Sequence, residues 1–183
     1  MSHVTVGERR IKVLYSAEDI DRRVAKIADE IAATDMPRLL VVPILKGSFI
    51  FAADLVRALH AAGLEPTVEF LSLSSYREAT VSSGLVEILR DVEGEVKGRS
   101  VLLVDDILES GRTTAFAKDL MAARGAASVR TCVLLDKPGK RAADIDADFT
   151  GFECPDLFVV GYGMDMAHEY RQLPFVGVVE DDG

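Results

Sequence analysis

Apolar residues near the start of the chain recur three or four positions apart, as they do on the buried face of a helix. The residues with this spacing are Ile20, Val24, Ile27 and Ile31. They predict an amphipathic helix over residues 17–33. Ser16 and Asp19 resemble a capping box at its start, with Asp where Glu or Gln is more usual.

Two later segments show the same helical spacing. One carries Ala52, Leu55, Val56 and Leu59, and Gly63 closes it. The other spans residues 113–124 and is stopped by Gly125. Both helices therefore end at a glycine, the residue that most readily adopts the left-handed conformation of a helix end.

Short, nearly unbroken apolar runs form the second pattern. Such runs are typical of strands that are covered on both faces, as in a parallel sheet. The runs span residues 39–44, 101–104, 129–135, 157–160 and 175–179. Two less regular segments, residues 67–73 and 85–89, are also interpreted as strands. Strands that alternate with helices predict an α/β fold, with a central mainly parallel sheet flanked by helices and right-handed crossovers.

Composition narrows the class of protein. A chain of 183 residues fits a single domain, residues 1–183. No apolar run reaches the roughly 18 residues of a membrane span, and the polar residues 1–11 lack the apolar run of a secretory signal. We therefore expect a cytoplasmic protein with no membrane partner. The net charge of −9 argues against nucleic acid as a partner, because such binders usually carry a basic surface.

The cysteines and histidines do not suggest a metal site. Cys132 and Cys154 form no CxxC pair, and the three histidines show no ligand spacing with each other or with the cysteines. Cys132 lies within an apolar run, where a small buried hydrophobic residue is expected. We do not expect a zinc site.

The strongest chemical signal follows the apolar run at residues 101–104. Asp105 and Asp106 come directly after it, and Glu109 follows. The residues that then open the next helix are Ser110, Gly111, Arg112, Thr113 and Thr114. Backbone N–H groups at a helix start suit a phosphate, and the glycine permits close approach. The two aspartates would repel a phosphate but can accept hydrogen bonds from ribose hydroxyls or hold Mg²⁺.

Each of these residues alone has a plainer interpretation. Asp105 and Asp106 could simply end a strand, and Ser110 could cap a helix. Their combination favours a sugar phosphate, because such a ligand explains both the acids and the phosphate-binding loop.

This segment resembles the phosphoribosyl pyrophosphate signature of the type I phosphoribosyltransferases. Further segments are similar, in order and spacing, to the hypoxanthine-guanine phosphoribosyltransferases. They are residues 45–48, 73–76, 136–138, 155–165 and 170–174, so the resemblance covers about residues 38–180. It implies the type I phosphoribosyltransferase fold, with a small hood formed from the terminal segments.

The resemblance also implies roles for single residues. Ribose would bind Asp105 and Asp106, and the loop from Ser110 to Thr114 would bind its phosphate. Pyrophosphate would bind Lys46, Gly47, Ser75, Tyr76 and Arg171, with a cis peptide between Leu45 and Lys46. The purine would bind Lys137, Phe158, Val159 and Asp165. Asp165 would also take part in holding the Mg²⁺ cofactor.

Glu109 departs from the commonest family pattern, which has Asp at the position proposed to handle the proton on purine N7. The carboxylate is kept, so Glu109 is the candidate catalytic acid or base. Without the resemblance, other interpretations stay open. Phe158 would be a core residue, and Arg171 and Lys137 would be solvated charges. Residues 72–84 would form a surface loop. Residues 45–48 would form a plain turn from strand to helix, with Ser48 as the helix cap.

The function implied is transfer of the phosphoribosyl group from phosphoribosyl pyrophosphate to N9 of hypoxanthine, guanine or both. The products would be IMP or GMP and pyrophosphate. A regulator that senses phosphoribosyl pyrophosphate is an alternative, but it would need a nucleic-acid surface and usually an added domain. A xanthine-preferring relative is a closer alternative. The family suggests a homodimer or homotetramer.

Overall fold

The computed structural model describes residues 2–75 and 86–180, which form a large sheet, a small sheet and three α-helices. The elements in chain order are β1 (His3–Val6), β2 (Arg9–Tyr15), α1 (Ala17–Ala32), β3 (Leu40–Leu45), α2 (Phe49–Ala61), β4 (Thr67–Val68), β5 (Leu71–Ser75), β6 (Val86–Arg90), β7 (Ser100–Leu108), α3 (Arg112–Ala123), β8 (Ser128–Asp136), a 3₁₀ helix (Pro138–Lys140), β9 (Phe149–Glu153) and β10 (Val176–Val179).

The large sheet has the strand order β6-β5-β3-β7-β8-β9, and β4 also pairs with β3. All of its pairings are parallel except that of β5 with β6. The predicted central, mainly parallel sheet is therefore confirmed. The longest pairing joins β7 to β8, from Ser100 opposite Ser128 to Leu108 opposite Asp136.

Alternate residues of the central strands face opposite sides of this sheet, and each side is covered. Val41 and Leu102 belong to a buried cluster with residues of α1 and α2. Their neighbours Val42 and Leu103 belong to a second cluster, which includes Ala117 of α3. Because both faces are buried, the strands need apolar residues at every position. This explains the unbroken apolar runs and confirms helices on both faces.

The helices begin and end as their sequences predict. Ser16 Oγ accepts a hydrogen bond from Asp19 N at 3.2 Å, and Asp19 Oδ2 accepts one from Ser16 N at 3.3 Å, which completes the capping box. Gly63 and Gly125 follow α2 and α3 with φ angles of +90° and +83°. No helix within the described residues is long and apolar enough to cross a bilayer.

The small sheet is a hood that joins the two ends of the chain. Its strand order is β1-β2-β10, and both pairings are antiparallel. A separate buried cluster lies beneath it and contains Ile11, Val13, Val160, Tyr170, Leu173 and Phe175. The hood implied by the resemblance is confirmed. The predicted strand at residues 175–179 exists as β10, but it belongs to the hood and not to the central sheet.

Several predicted strand boundaries were wrong. The run at residues 101–104 continues as β7 to Leu108, because pairing with β8 extends beyond the apolar residues. Residues 157–160 form no strand, and only Val160 makes a bridge, to Gly177 of the hood. Residues 67–73 form two strands, β4 and β5. The pattern missed β1, β2 and β9, which are short or partly exposed.

Candidate active site

The acidic pair lies within the carboxyl-terminal half of β7, close to the middle of the large sheet. Asp105 is only 8% exposed. Burial raises the pKa of Asp105 well above its ordinary value, and the negative charge of Asp106 raises it further. Burial also raises the pKa of Asp106. Within the described part of the chain neither carboxylate forms an ion pair, so the site holds two acids that lack a close cationic partner.

Two glycines bring other loops against this pair. A Cβ atom on Gly47 would lie 1.7 Å from Asp106 Oδ2, so a larger residue would displace that carboxylate. A Cβ atom on Gly163 would lie 2.3 Å from the carbonyl oxygen of Gly47, and Gly163 has a φ of +99°. Three segments that are distant in sequence therefore pack in a row, with Gly47 between Asp106 and Gly163. The Leu45–Lys46 peptide before Gly47 is cis, as the resemblance implies.

The predicted phosphate loop connects β7 to α3, with Gly111 at the helix start. Gly111 has a φ of +78°, and a Cβ atom there would lie 2.6 Å from Ile145 Cγ2. The glycine is thus required by the backbone and by packing behind the loop, and not only by approach of a ligand. Gly111, at the N-cap position, offers no side chain to the N–H groups at this end of α3. These groups suit a phosphate.

The remaining loop residues differ in their surroundings. Arg112 N donates a hydrogen bond to Ser110 Oγ at 3.4 Å, and Thr113 is partly exposed. Thr114 is 2% exposed, and its hydroxyl lowers the pKa of Asp105 slightly against the dominant effect of burial. Thr114 is therefore a buried neighbour that favours the charged form of Asp105.

A residue that the sequence pattern did not single out holds the loop from behind. Arg141 Nη1 donates to the carbonyl oxygens of Leu108 and Glu109, at 3.1 and 2.8 Å, and Nη2 bonds to Asp136 Oδ1 at 2.5 Å. The backbone N–H groups of residues 142 and 143 also donate to the carbonyl of Ser110. No motif marked Arg141, since its partners are mainly backbone atoms brought near by the fold.

The candidate purine-binding residues lie on the other side of the loop. Lys137 directly follows β8 and is only 7% exposed, and its Nζ donates to the carbonyl oxygen of Leu157 at 2.6 Å. Phe158 is 61% exposed, whereas the adjacent Val159 is 3% exposed. The interpretation of Phe158 as a core residue was therefore wrong. Its ring is accessible to a ligand because residues 157–159 leave the sheet after β9.

The carboxylate of Glu109 stands between the phosphate loop and this base side. Glu109 Oε1 lies 3.7 Å from Lys140 Nζ and 4.0 Å from Lys137 Nζ. Its side chain is 30% exposed, so it is reachable from solvent. The structure thus brings the candidate acid or base close to the candidate purine donor.

Asp165 and Arg171 lie together near Asp106. Arg171 Nη2 is 2.9 Å from Asp165 Oδ1, and Nη1 donates to the carbonyl oxygen of Gly163 at 2.6 Å. His168 N donates to Asp165 Oδ2 at 2.8 Å. Arg171 is therefore paired, and it is not a freely solvated charge. Its positive charge also lowers the pKa of Asp106, although less than burial raises it.

The remaining members of the pyrophosphate set follow or end two strands of the large sheet in the sequence. Ser75 is the last residue of β5, and Tyr76 lies outside the described residues, as does most of the polar stretch at residues 72–84. Lys46 follows β3 at the cis peptide. Ser48 does not cap α2 with its side chain, because Ser48 Oγ donates to the carbonyl oxygen of Ile44 at 2.6 Å.

A mainly parallel sheet with an acidic pair before a phosphate loop defines a class of α/β proteins that bind sugar phosphates. Comparison with known proteins agrees with this class. The model of the phosphoribosyl transferase domain family matches residues 11–167. The chain belongs to the phosphoribosyltransferase family.

Within that family the similar proteins are hypoxanthine-guanine phosphoribosyltransferases, which confirms the resemblance seen in the motifs. The chain is 44% identical to the enzyme of that name from Bacillus subtilis, over 92% of this chain and 93% of the relative. It is also 44% identical to the one from Aquifex aeolicus, over 94% and 97%.

Solved structures show the same likeness in three dimensions. A hypoxanthine phosphoribosyltransferase from Staphylococcus aureus superposes with a TM-score of 0.86 at 36% identity, covering 92% of this chain and 91% of that one. The hypoxanthine phosphoribosyl transferase of Trypanosoma cruzi gives the same TM-score of 0.86 at 36% identity, with coverage of 92% and 91%. The type I phosphoribosyltransferase fold is therefore confirmed.

Proposed function

We propose that this protein transfers the phosphoribosyl group of phosphoribosyl pyrophosphate to N9 of hypoxanthine, guanine or both. The products are IMP or GMP and pyrophosphate. The observation that carries the proposal is the position of Glu109, with the buried Asp105 and the partly buried Asp106 on its β7 side and the buried Lys137 within 4.0 Å on the other. A sugar phosphate and an oxopurine would meet at this point.

The protein would hold the sugar phosphate with carboxylates that accept from the ribose and N–H groups that donate to the phosphate. The ribose hydroxyls donate to Asp105 and Asp106, and these hydrogen bonds would offset part of the cost of holding two acids in the fold. The phosphate accepts from the N–H groups at the start of α3, from Ser110 to Thr114. The pyrophosphate faces Lys46, Gly47 and Arg171, and we assign Ser75 and Tyr76 to it on the resemblance alone.

The base would be held by one buried donor and one exposed ring. Lys137 donates to the exocyclic oxygen of the purine in place of the Leu157 carbonyl that it now contacts. Phe158 stacks on the base, and the backbone at Val159 and Asp165 meets its edge. Adenine carries an amino group where oxopurines carry the oxygen, so it would leave Lys137 unpaired. A site built on such a donor discriminates strongly.

The donor set also fits Mg²⁺, which prefers oxygen ligands and is often held by one or two carboxylates together with substrate phosphates. Within the described residues no group of three or more His, Cys, Asp and Glu side chains is arranged to hold a metal. Both oxygens of Asp165 have partners, so contact through water suits this residue. When bound, the ion would neutralise charge on the departing pyrophosphate.

Glu109 would handle the proton on purine N7. Its carboxylate lies beside Lys137, the residue that orients the base, and it is reachable by a ligand. The transfer itself gains from holding the base and the sugar in line, and cationic Lys46 and Arg171 would stabilise the leaving group.

A panel of four bases tests the proposal. Hypoxanthine, guanine, xanthine and adenine are each incubated with phosphoribosyl pyrophosphate, with and without Mg²⁺, and nucleotide formation is measured. We expect transfer to hypoxanthine or guanine that stops when the ion is chelated. Preference for xanthine would favour the closer alternative, and no transfer to any base would contradict an enzymatic role. We also expect a homodimer or homotetramer in the cytoplasm, which light scattering and cell fractionation would test.

A further inference from the structure

Lys140 connects Glu109 to the segment that carries Phe158, the ring expected to stack on the purine. Its Nζ lies 2.7 Å from Asp156 Oδ1 and 3.7 Å from Glu109 Oε1. Asp156 is two residues before the exposed Phe158. A cavity of about 350 Å³ is bounded by Lys137, Lys140 and Asp156, among others, so this contact lies in the wall of an open space.

We propose that Lys140 is a positioning residue for the transfer reaction: it holds the Glu109 carboxylate and thereby leaves Lys137 free to donate to the base. The inference rests on the proposed function, and it assigns to Lys140 a role that is separate from base or sugar binding.

The local fold places both lysines beside one carboxylate. Residues 138–140 form a 3₁₀ helix, with Lys137 at its N-terminal cap position. Side chains three residues apart lie over one another in such a helix. Lys137 and Lys140 therefore reach the same oxygen of Glu109 from neighbouring positions.

Burial makes the two lysines unequal. The side chain of Lys137 is 8% exposed and that of Lys140 is 55% exposed. A buried ammonium has few water molecules to stabilise it and gains more from a nearby carboxylate. If Lys140 is removed, Lys137 is the one ammonium that is left within 4.0 Å of Glu109 among the described residues. The two would then pair, and Lys137 would be less available to the purine oxygen.

Asp156 anchors the lysine in this position. The hydrogen bond to Asp156, then the charge of Asp156 and to a lesser extent Glu109, raise the pKa of Lys140, which stays protonated at neutral pH. An ion pair this exposed contributes little to stability. Its loss should therefore change the site rather than the fold.

The test compares Lys140→Ala, Lys140→Arg and the control Lys26→Ala, which removes an exposed lysine of α1. We expect Lys140→Ala to raise the KM for hypoxanthine and guanine roughly 5- to 30-fold, with the KM for phosphoribosyl pyrophosphate unchanged. Lys140→Arg should restore the base KM because it keeps the charge. A base KM like that of Lys26→Ala would overturn the inference.

Nucleotide binding provides a second readout that does not depend on turnover. GMP binding is measured by calorimetry for Lys140→Ala alone, Glu109→Gln alone and the double variant. If Lys140 acts through Glu109, its removal weakens GMP binding in the native background and has no further effect in the Glu109→Gln background. An equal loss in both backgrounds would show that Lys140 acts directly, and the inference would be wrong. Absence of transfer by the native protein would instead count against the proposed function.

Discussion

Asp105 is a candidate ribose ligand whose buried carboxylate lowers the stability of the ligand-free protein. Its carboxyl is buried within β7 beside a second acid, and it accepts a hydrogen bond from Asp106 N at 2.9 Å. A buried carboxylate is destabilising in its charged form unless an opposite charge pairs with it, even when it accepts a hydrogen bond. The ligand-free protein therefore carries an unfavourable group that a ribose could satisfy.

Replacing this carboxyl should stabilise the ligand-free protein. The folded-state pKa of Asp105 is raised above its ordinary value of 3.8, so the folded protein binds the proton more tightly than the unfolded chain. Stability is therefore lost as pH rises from that ordinary value through the raised one. Asp105→Asn removes the titration, and we expect a higher melting temperature at neutral pH and a weaker dependence on pH.

Thermal unfolding across a pH series checks this expectation. Asp119→Asn, at an exposed position of α3, is the matched control and should follow the native protein. If Asp105→Asn melts at the same temperature as the native protein at neutral pH, the Asp105 carboxylate is not an unfavourable group in the folded state.

Glu109 is the second residue for which a substitution is informative. Glu109→Gln keeps shape and polarity but removes the basic carboxylate, so turnover should fall roughly 10²–10⁴-fold, while phosphoribosyl pyrophosphate still binds. Glu109→Asp restores the commoner family residue and should keep much of the activity. Single-turnover measurements separate the chemical step from product release. A Gln variant within a few-fold of the native rate would contradict the proton-handling role.

At the scale of elements, the site depends on contacts between the ends of strands. The loop after β3 approaches Asp106 of β7, and the segment around Gly163 approaches that loop at Gly47; each approach is closer than a Cβ atom would permit. The two glycines differ in what they face. Gly47 meets a carboxylate side chain, whereas Gly163 meets the backbone of Gly47 and has a positive φ.

These surroundings predict different effects of alanine. Gly163→Ala forces backbone atoms apart in an unfavourable conformation, so it should lower the free energy of unfolding by roughly 1–3 kcal/mol. Gly47→Ala displaces the Asp106 side chain, so it should mainly weaken binding of phosphoribosyl pyrophosphate. Denaturant unfolding and ligand titration measure the two effects.

Gly139→Ala serves as the control for stability, because its Cβ atom would meet nothing within 4 Å. Equal stability of the Gly163 and Gly139 variants would show that the backbone near Gly163 can move away without cost.

At the scale of the whole molecule, the hood and the central sheet are joined by contacts outside the site. Tyr15 of β2 stacks on Phe152 of β9 with ring centroids 4.2 Å apart, and its hydroxyl donates to the carbonyl oxygen of Glu153 at 2.8 Å. The Tyr162 hydroxyl donates to Asp54 of α2 at 2.5 Å. A ligand that contacts segments from Lys46 to Arg171 would therefore stabilise a fold whose hood and sheet are already joined.

Ligand binding should accordingly raise the melting temperature. At a concentration 100 times its Kd, a ligand that binds only the folded state adds about 2.7 kcal/mol, which corresponds to roughly 5–10 °C for a chain of this size. We expect this shift with phosphoribosyl pyrophosphate and Mg²⁺, measured by scanning fluorimetry. The double variant Asp105→Asn, Asp106→Asn should lose most of it. A shift of native size in that variant would contradict the ribose role of the pair.

Features that depend on neighbouring residues could be predicted from the sequence. Apolar runs predicted the central strands because a strand covered on both faces needs no polar position. Capping residues and glycines marked the helix ends. The order and spacing of short motifs identified the family and named most candidate site residues, since a ligand loop after a strand is encoded within a few consecutive positions.

Features that depend on contacts between distant segments could be determined only from the tertiary structure. The fold exposes Phe158 and sets Gly47 and Gly163 in close contacts. It brings Arg141 and Lys140 against Glu109 and its loop. It also pairs β10 with the hood. Pairing partners, burial and the distance between charges arise from residues far apart in the chain, and no local pattern of apolar and polar positions records them.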